Sequence, residues 1–344
     1  MDANKKQRIA LEVIKVLKTR FDSFPTDVQL VRNAPFHKAF LKAFSAKISE
    51  SGIDTNKLIT LNSWIHGLNT TLGQSFFENV ANILCDGDKR KFSGEKIYEM
   101  QAKQISEIMT DLKNGIEEPN VERENHLLDS NNYGDLTDAQ AFTADCFFVE
   151  QDRVVAIELK SVRPNSGEMR GEKQKILVGK AVLKRLYPDK DVYYYFGFPF
   201  DPLSREETGY DKEAFMNSII EFKKFCAKDE LLIADELWSF LSGEYNTMQR
   251  ILDIIKSIST ESFIENFEFL NNPNKILEDP DRYLYIADKW CLEGEKTIAE
   301  NLDVLMRQAE SSNSLYKALN KNIFNYKGEY NYNRANTLLT KIFE

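Results

Sequence analysis

Ala141-Phe-Thr-Ala-Asp-Cys-Phe-Phe-Val149, the polar link Glu150-Gln-Asp152, and Arg153-Val-Val-Ala-Ile-Glu-Leu-Lys160 form the stretch that decides the fold. Two runs rich in β-branched and aromatic residues, separated by so short a link, predict a hairpin. Closing it through Gln151-Asp152 sets Glu150 against Arg153 and therefore Asp145 against Glu158. Residues so placed on one side of an antiparallel pair have Cβ atoms about 4.5–5.5 Å apart, and like charges there repel. A cation between them removes the conflict. Strand side chains alternate, so Glu158 shares its face with Val154, Ala156 and Lys160, and the lysine joins the two acids.

Working outward, Pro164-Asn-Ser-Gly167 opens a helix expected from about Glu168 to Tyr187, and Pro188 stops it because proline cannot continue the hydrogen-bond ladder. Val192-Tyr-Tyr-Tyr-Phe196 then reads as a strand. Strand, helix and strand make a crossover, which places Val192–Phe196 parallel to Arg153–Lys160 in one mixed sheet. The core is thus α/β, a mixed β-sheet flanked by helices. From the N-terminus to about Asn114, apolar residues at helical spacing (Ile9, Val13, Val16, Leu17; then Leu41, Phe44, Ile48) predict a set of short helices. Asn114 to Thr137 lacks periodicity and reads as an irregular connection. Beyond about Asp211 the helical pattern returns, with no internal repeat. At 344 residues the chain exceeds one ordinary domain. The expected division is residues 1–230, helical N-terminal region plus core, and residues 231–344, a mainly helical C-terminal region.

The composition, 42% hydrophobic and 29% charged, is that of a globular protein and excludes fibrous or disordered classes. The start of the chain lacks the apolar core of a signal peptide, and nothing approaches the ~18 apolar residues of a membrane span, so a cytoplasmic protein without a membrane partner is expected. Cys85, Cys146, Cys226 and Cys291 show neither CxxC spacing nor a Cys/His cluster and read as reduced, mostly buried thiols. A net charge of −9 argues against indiscriminate adhesion to nucleic acid. Between Lys160 and Arg185, however, eight basic residues stand against two acids, so any DNA contact is local.

Two carboxylates, Asp145 and Glu158, with the backbone carbonyl of Leu159 suit Mg²⁺, a hard cation that keeps waters and recruits phosphate oxygens. Such an ion activates water and neutralises a phosphorane-like charge. Lys160 beside it can orient or deprotonate that water and stabilise the added charge on phosphate. His37, His66 and His126 have no recognisable nucleophilic partner, and no glycine-rich phosphate loop is present. Taken alone, Glu158-Leu-Lys160 reads first as a solvated strand-end ion pair, since Asp111-Leu-Lys113 and Glu221-Phe-Lys223 repeat the pattern on helices; its placement at a strand end, opposite Asp145 and before the basic segment, favours chemistry.

The acid, hairpin and Glu-x-Lys arrangement resembles the PD-(D/E)xK nuclease superfamily, with Ala144-Asp145 where the pattern has Pro-Asp. Trp64-Ile-His-Gly-Leu-Asn-Thr-Thr-Leu-Gly-Gln-Ser-Phe-Phe-Glu78, Ile157-Glu-Leu-Lys-Ser-Val-Arg-Pro-Asn-Ser-Gly167, Glu172-Lys-Gln-Lys-Ile176 and Gly197-Phe-Pro-Phe-Asp-Pro202 resemble the TdeIII-type family of type II restriction endonucleases. The resemblance runs from about Trp64 to Pro202. It implies a restriction-endonuclease-like core, Mg²⁺-dependent double-strand cleavage at a short near-palindromic site such as GGNCC, a homodimer matching the site's two-fold symmetry, and a cognate methyltransferase that protects host DNA. It also makes Glu78 a helix acid near the metal, where an ordinary polar residue is the other reading, and makes Gln174 an assisting glutamine, where a surface residue is the other.

Arg163, Asn165, Ser166, Glu168 and Arg170 follow the active strand and are candidate DNA contacts, although Pro164–Gly167 serves equally as a helix cap. Lys173, Lys180 and Lys184 share a helix stripe, either a phosphate track including Lys173 or a solvated face. Tyr193–Tyr195 read as sheet packing. Two rival functions use the same residues: a repair or recombination nuclease, and a DNA-binding protein whose acids form only a structural ion pair.

Overall fold

The hairpin forms in the register its link dictates. In the computed structural model, which describes residues 1–25, 41–42, 48, 50, 52, 54–160 and 166–343, the strands are β1 (Asp88–Phe92), β2 (Lys96–Tyr98), β3 (Leu136–Asp138), β4 (Phe142–Val149), β5 (Arg153–Leu159), β6 (Asp191–Phe198) and β7 (Leu231–Ile233). β4 and β5 pair antiparallel through Cys146↔Ile157, Phe147↔Ala156, Phe148↔Val155 and Val149↔Val154. Glu150 N–H donates to the Arg153 carbonyl at 2.8 Å, closing the two-residue link. β6 runs parallel to β5, and Lys160 N–H extends that ladder to the Gly197 carbonyl at 2.9 Å. The five-stranded sheet has the order β1-β4-β5-β6-β7, with β2 and β3 as a separate antiparallel pair.

The crossover helix, Ser166–Leu186, lays Met169, Ile176, Leu177, Ala181, Val182 and Leu183 into the core. Burying a side chain of the Val, Leu or Ile type contributes roughly 1.5–3 kcal/mol, so this face is a main source of the helix's anchorage. The helix approaches β6 closely at Gly179, where a Cβ would come within 2.4 Å of Tyr194 Cε1 and 3.3 Å of Phe142 Cε2. Glycine is required there by contact, without any special backbone angle.

Two expectations need correction. The stretch from Asn114 to Thr137 contains a helix, Val121–Ser130, started by the Asn120 side chain accepting from Arg123 N–H at 2.8 Å, and then β3. Gly115, at φ 67°, closes the preceding helix, Glu99–Asn114, in the left-handed conformation that glycine adopts freely. The N-terminal third also holds β1 and β2 as well as helices, and these include the 20-residue Ala3–Asp22.

The division of the chain likewise differs from a boundary at residue 230. Contacts gather Phe77–Leu252, with Met1, into one unit and Asp2–Phe76 with Asp253–Glu344 into another. Leu231-Leu-Ile233 is too short to announce itself as a strand, yet pairing with β6 makes it one and holds residues 231–252 with the core. The second unit is helical among its described residues. Ala3–Asp22 buries Ile9, Ala10, Leu11, Val13 and Ile14. There Glu295, fully buried, accepts from Arg334 at 2.7 and 2.9 Å and from the hydroxyls of Tyr283 and Tyr330 at 2.7 Å each. A buried carboxylate is tolerable only when paired and hydrogen-bonded in this way. No helix among the described residues is long and apolar enough to cross a membrane.

Gly179→Ala is expected to destabilise the protein by about 1–3 kcal/mol, the usual cost of forcing atoms into a packed core. Urea unfolding measures it; an unchanged midpoint would mean that the Tyr194 ring moves aside freely.

Candidate active site

The sheet departs from regular pairing at Asp145. β1 and β4 pair as Asp88↔Phe147 and then as Arg90↔Ala144, so Lys89 alone faces two residues, Asp145 and Cys146. An extra residue of this kind is a β-bulge, which kinks the strand and re-aims a side chain. Asp145 is held from both sides. Its carbonyl accepts from Asn82 Nδ2 at 3.0 Å, from the helix Phe77–Cys85, and its Oδ2 accepts from Leu159 N–H at 3.0 Å. This side-chain to backbone bond carries the β4–β5 contact one step beyond the ladder.

Glu158, 5% exposed, stands at the end of β5. Lys160 Nζ lies 3.0 Å from its Oε1, and Lys175, from the crossover helix, pairs with its Oε2. Glu172, one turn before Lys175, binds Lys160 Nζ at 2.7 Å. Burial raises the Glu158 pKa and the charge of Asp145 adds to the rise, with Lys175 and Lys160 partly offsetting it. Burial opposes the Lys160 ammonium, but the charges of Glu158 and Glu172 outweigh it and raise its pKa. Glu78, on the Phe77–Cys85 helix, meets Lys89 Nζ at 2.8 Å, and the same Nζ lies 3.2 Å from Asp145 Oδ1. Burial raises the Glu78 pKa, and Asp145 raises it further against the pull of Lys89.

Four carboxylates (Glu78, Asp145, Glu158, Glu172) thus interleave with three ammoniums (Lys89, Lys160, Lys175). Among the described residues no group of three or more His, Cys, Asp or Glu side chains is arranged to hold a metal ion, so a cation here would rely on fewer side chains and on waters. The donors at Asp145 and Glu158 are carboxylate oxygens, and burial, with the charge of Asp145 adding to it, raises the Glu158 pKa. An all-oxygen, partly open set of that kind fits a hard divalent cation that retains waters.

The structure distributes the other candidates differently. Lys173 is fully buried and does not face solvent: its Nζ contacts Glu124 at 2.6 Å and Glu230 at 2.6 and 2.8 Å, with Lys180 Nζ 3.2 Å from Glu230. Lys173 and Lys180 thus present no solvent-facing amine, neither to a phosphate track nor to a solvated face. Gln174 is exposed and lines a cleft with Arg170, Ile105 and Met109, while the helix presents Glu172 and Lys175 to the acids. Glu168 and Arg170 are exposed in the first turns of that helix. Arg163 and Asn165 lie outside the described residues, as does the side chain of Ser166. Tyr194 packs in the core, while Tyr193, exposed, stacks on Tyr195 at 6.0 Å on the other face of the sheet. All four cysteines are free thiols, with the Cys85 and Cys146 sulfurs 3.3 Å apart.

Asn82, Lys89, Glu172 and Lys175 complete the site without having been singled out for it. The available signal lay in helix geometry: at about 100° per residue, positions 172 and 175 fall within about 60° of each other, whereas 174 lies about 160° from 172. Nothing local marks Lys89, because its place depends on the bulge.

Comparison with known proteins bears on this geometry. The family model described as type II restriction endonuclease, HinfI, matches residues 1–259. The type II restriction enzyme MjaII of Methanocaldococcus jannaschii is 45% identical over 353 residues, covering 97% of this chain and 95% of its own length. No solved structure matches. The matching family carries the HinfI description where the sequence resemblance pointed to the TdeIII type; the type II restriction class is common to both.

Lys173→Ala is expected to cost about 3–5 kcal/mol, since removing one partner strands buried charge. Urea denaturation measures the loss. A nearly unchanged stability would restore a solvent-facing role for this lysine.

Proposed function

Because the chain belongs to the HinfI family of type II restriction endonucleases, we propose that it hydrolyses both strands of DNA at a short near-palindromic site, using Mg²⁺ held at Asp145, Glu158 and the Leu159 carbonyl. The observation that carries this reading is the meeting of Asp145, at the bulge in β4, with Glu158, near the end of β5, with Lys160 Nζ 3.0 Å from Glu158. This placement supports a PD-(D/E)xK reading, and the resemblance of the quoted segments to TdeIII-type enzymes makes GGNCC the site to test first. A bound divalent cation supplies Lewis acidity and an activated water. Asp145, fixed at its carbonyl and its Oδ2, offers Oδ1 as a pre-oriented donor. Lys160, held by Glu172, brings an ammonium that orients the water and stabilises charge gathering on the phosphate. Glu78 adds a third acid on the flank of Asp145, bridged to it by Lys89.

A near-palindromic site calls for a homodimer, one subunit per strand, with the mainly helical C-terminal region, residues 231–344, serving dimerisation or clamping of DNA. A cytoplasmic location, with a cognate methyltransferase protecting host DNA, accompanies such an activity.

Asp145→Ala and Glu158→Ala are each expected to abolish cleavage, and Lys160→Ala to slow it by at least about 10²–10³-fold, the usual loss when one group stabilising developing charge is removed. All three should still bind DNA in Ca²⁺. Unmethylated phage DNA digested with Mg²⁺ and sequenced at its fragment ends supplies the readout. Discrete ends sharing one motif support the reading, whereas scattered ends or full activity in a variant overturn it.

A further inference from the structure

Lys89 occupies an unusual electrostatic position. It is the single residue facing the bulge, its Nζ bridges Glu78 (2.8 Å) and Asp145 (3.2 Å), and it starts the basic run Lys89-Arg-Lys91 on the sheet's edge strand. Arg90 is occupied, paired with Asp88 at 2.9 Å and stacked over the Phe147 ring at 4.3 Å, while Lys91 is exposed. The three ammoniums of the site differ in their freedom. The Lys89 side chain is 49% exposed, against 25% for Lys160 and 22% for Lys175, which are held between Glu158 and Glu172. A divalent cation taken by Asp145 would compete with Lys89 for the same carboxylate and repel its ammonium. Of the three, Lys89 is the one with solvent to move into, at an edge strand beside the open face of the site.

We propose that Lys89 is a metal-gated phosphate-binding residue: it neutralises Glu78 and Asp145 before the divalent cation binds, and turns to a backbone phosphate of the DNA once the cation has taken over that charge. The inference rests on the metal-dependent reading above. Its consequence is linkage, since binding of the metal releases a cation for DNA and binding of DNA removes the competitor of the metal, each favouring the other by the same factor.

The test uses the full-length protein and its Lys89→Gln and Lys89→Arg variants, with Ca²⁺ in place of Mg²⁺ to prevent cutting. Calorimetry with Ca²⁺ alone should show Lys89→Gln binding at least about 3-fold tighter than the parent, since the competitor is gone. The log–log salt slope for binding a random-sequence duplex should fall by about one in Ca²⁺ for Lys89→Gln, be unchanged in EDTA, and be retained by Lys89→Arg. An equal fall in EDTA would make Lys89 a constitutive phosphate contact and end the gating. An unchanged slope in Ca²⁺ would reduce it to a structural ion pair. Absence of Ca²⁺ binding by the parent protein would instead sink the metal-dependent reading itself, an outcome seen before any variant is compared.

Discussion

The pairing of β4 with β5 brings two carboxylates to one end of the hairpin, and much of the first unit answers the repulsion between them. Asp145 is held by Asn82 and by the β5 backbone, so it cannot swing away. Glu158 is too buried for water to screen it. The surroundings therefore supply positive charge from three elements: the edge strand gives Lys89, the end of β5 gives Lys160, and the crossover helix gives Lys175. Acids forced together by backbone register give the site a charge that the fold sets before any ligand arrives.

The crossover helix serves this arrangement with two polar faces of different kind. Glu172 and Lys175 are directed to Glu158 and Lys160, in a partly exposed setting. Lys173 and Lys180 enter the core, where Glu124 and Glu230 balance them. Burial works against the charge of Glu230, but the neighbouring lysines prevail and lower its pKa. The helix is thereby fixed to the Val121–Ser130 helix and to the segment before β7, which steadies the face that meets the catalytic candidates.

What could be read from the sequence followed the range of the interactions. The hairpin register, the parallel return of β6 and the crossover helix depend on neighbours close in sequence or on a rule of handedness, and the structure has each of them. β1 escaped because four of its five residues, Asp88-Lys-Arg-Lys91, are charged, a pattern that suits an edge strand but contradicts strand propensity. Lys173 was misplaced because its partners Glu124 and Glu230 lie 49 and 57 residues away, and no local pattern separates a lysine with buried acids from one in water. Asp145, Glu158 and Lys160 were legible because alternation along a strand determines which residues share a face. Lys89 was not, because a bulge has no signature in composition.

The buried quartet of Lys173, Lys180, Glu124 and Glu230 also constrains how the chain can drift over generations. Losing any one member leaves an unmatched charge in the interior, so single steps away are selected against, whereas a set of apolar replacements of similar volume could be neutral. These positions should change as a block or stay fixed. Descent would then preserve them as firmly as residues that touch DNA, and invariance at Lys173 among relatives would record the history of a packing constraint.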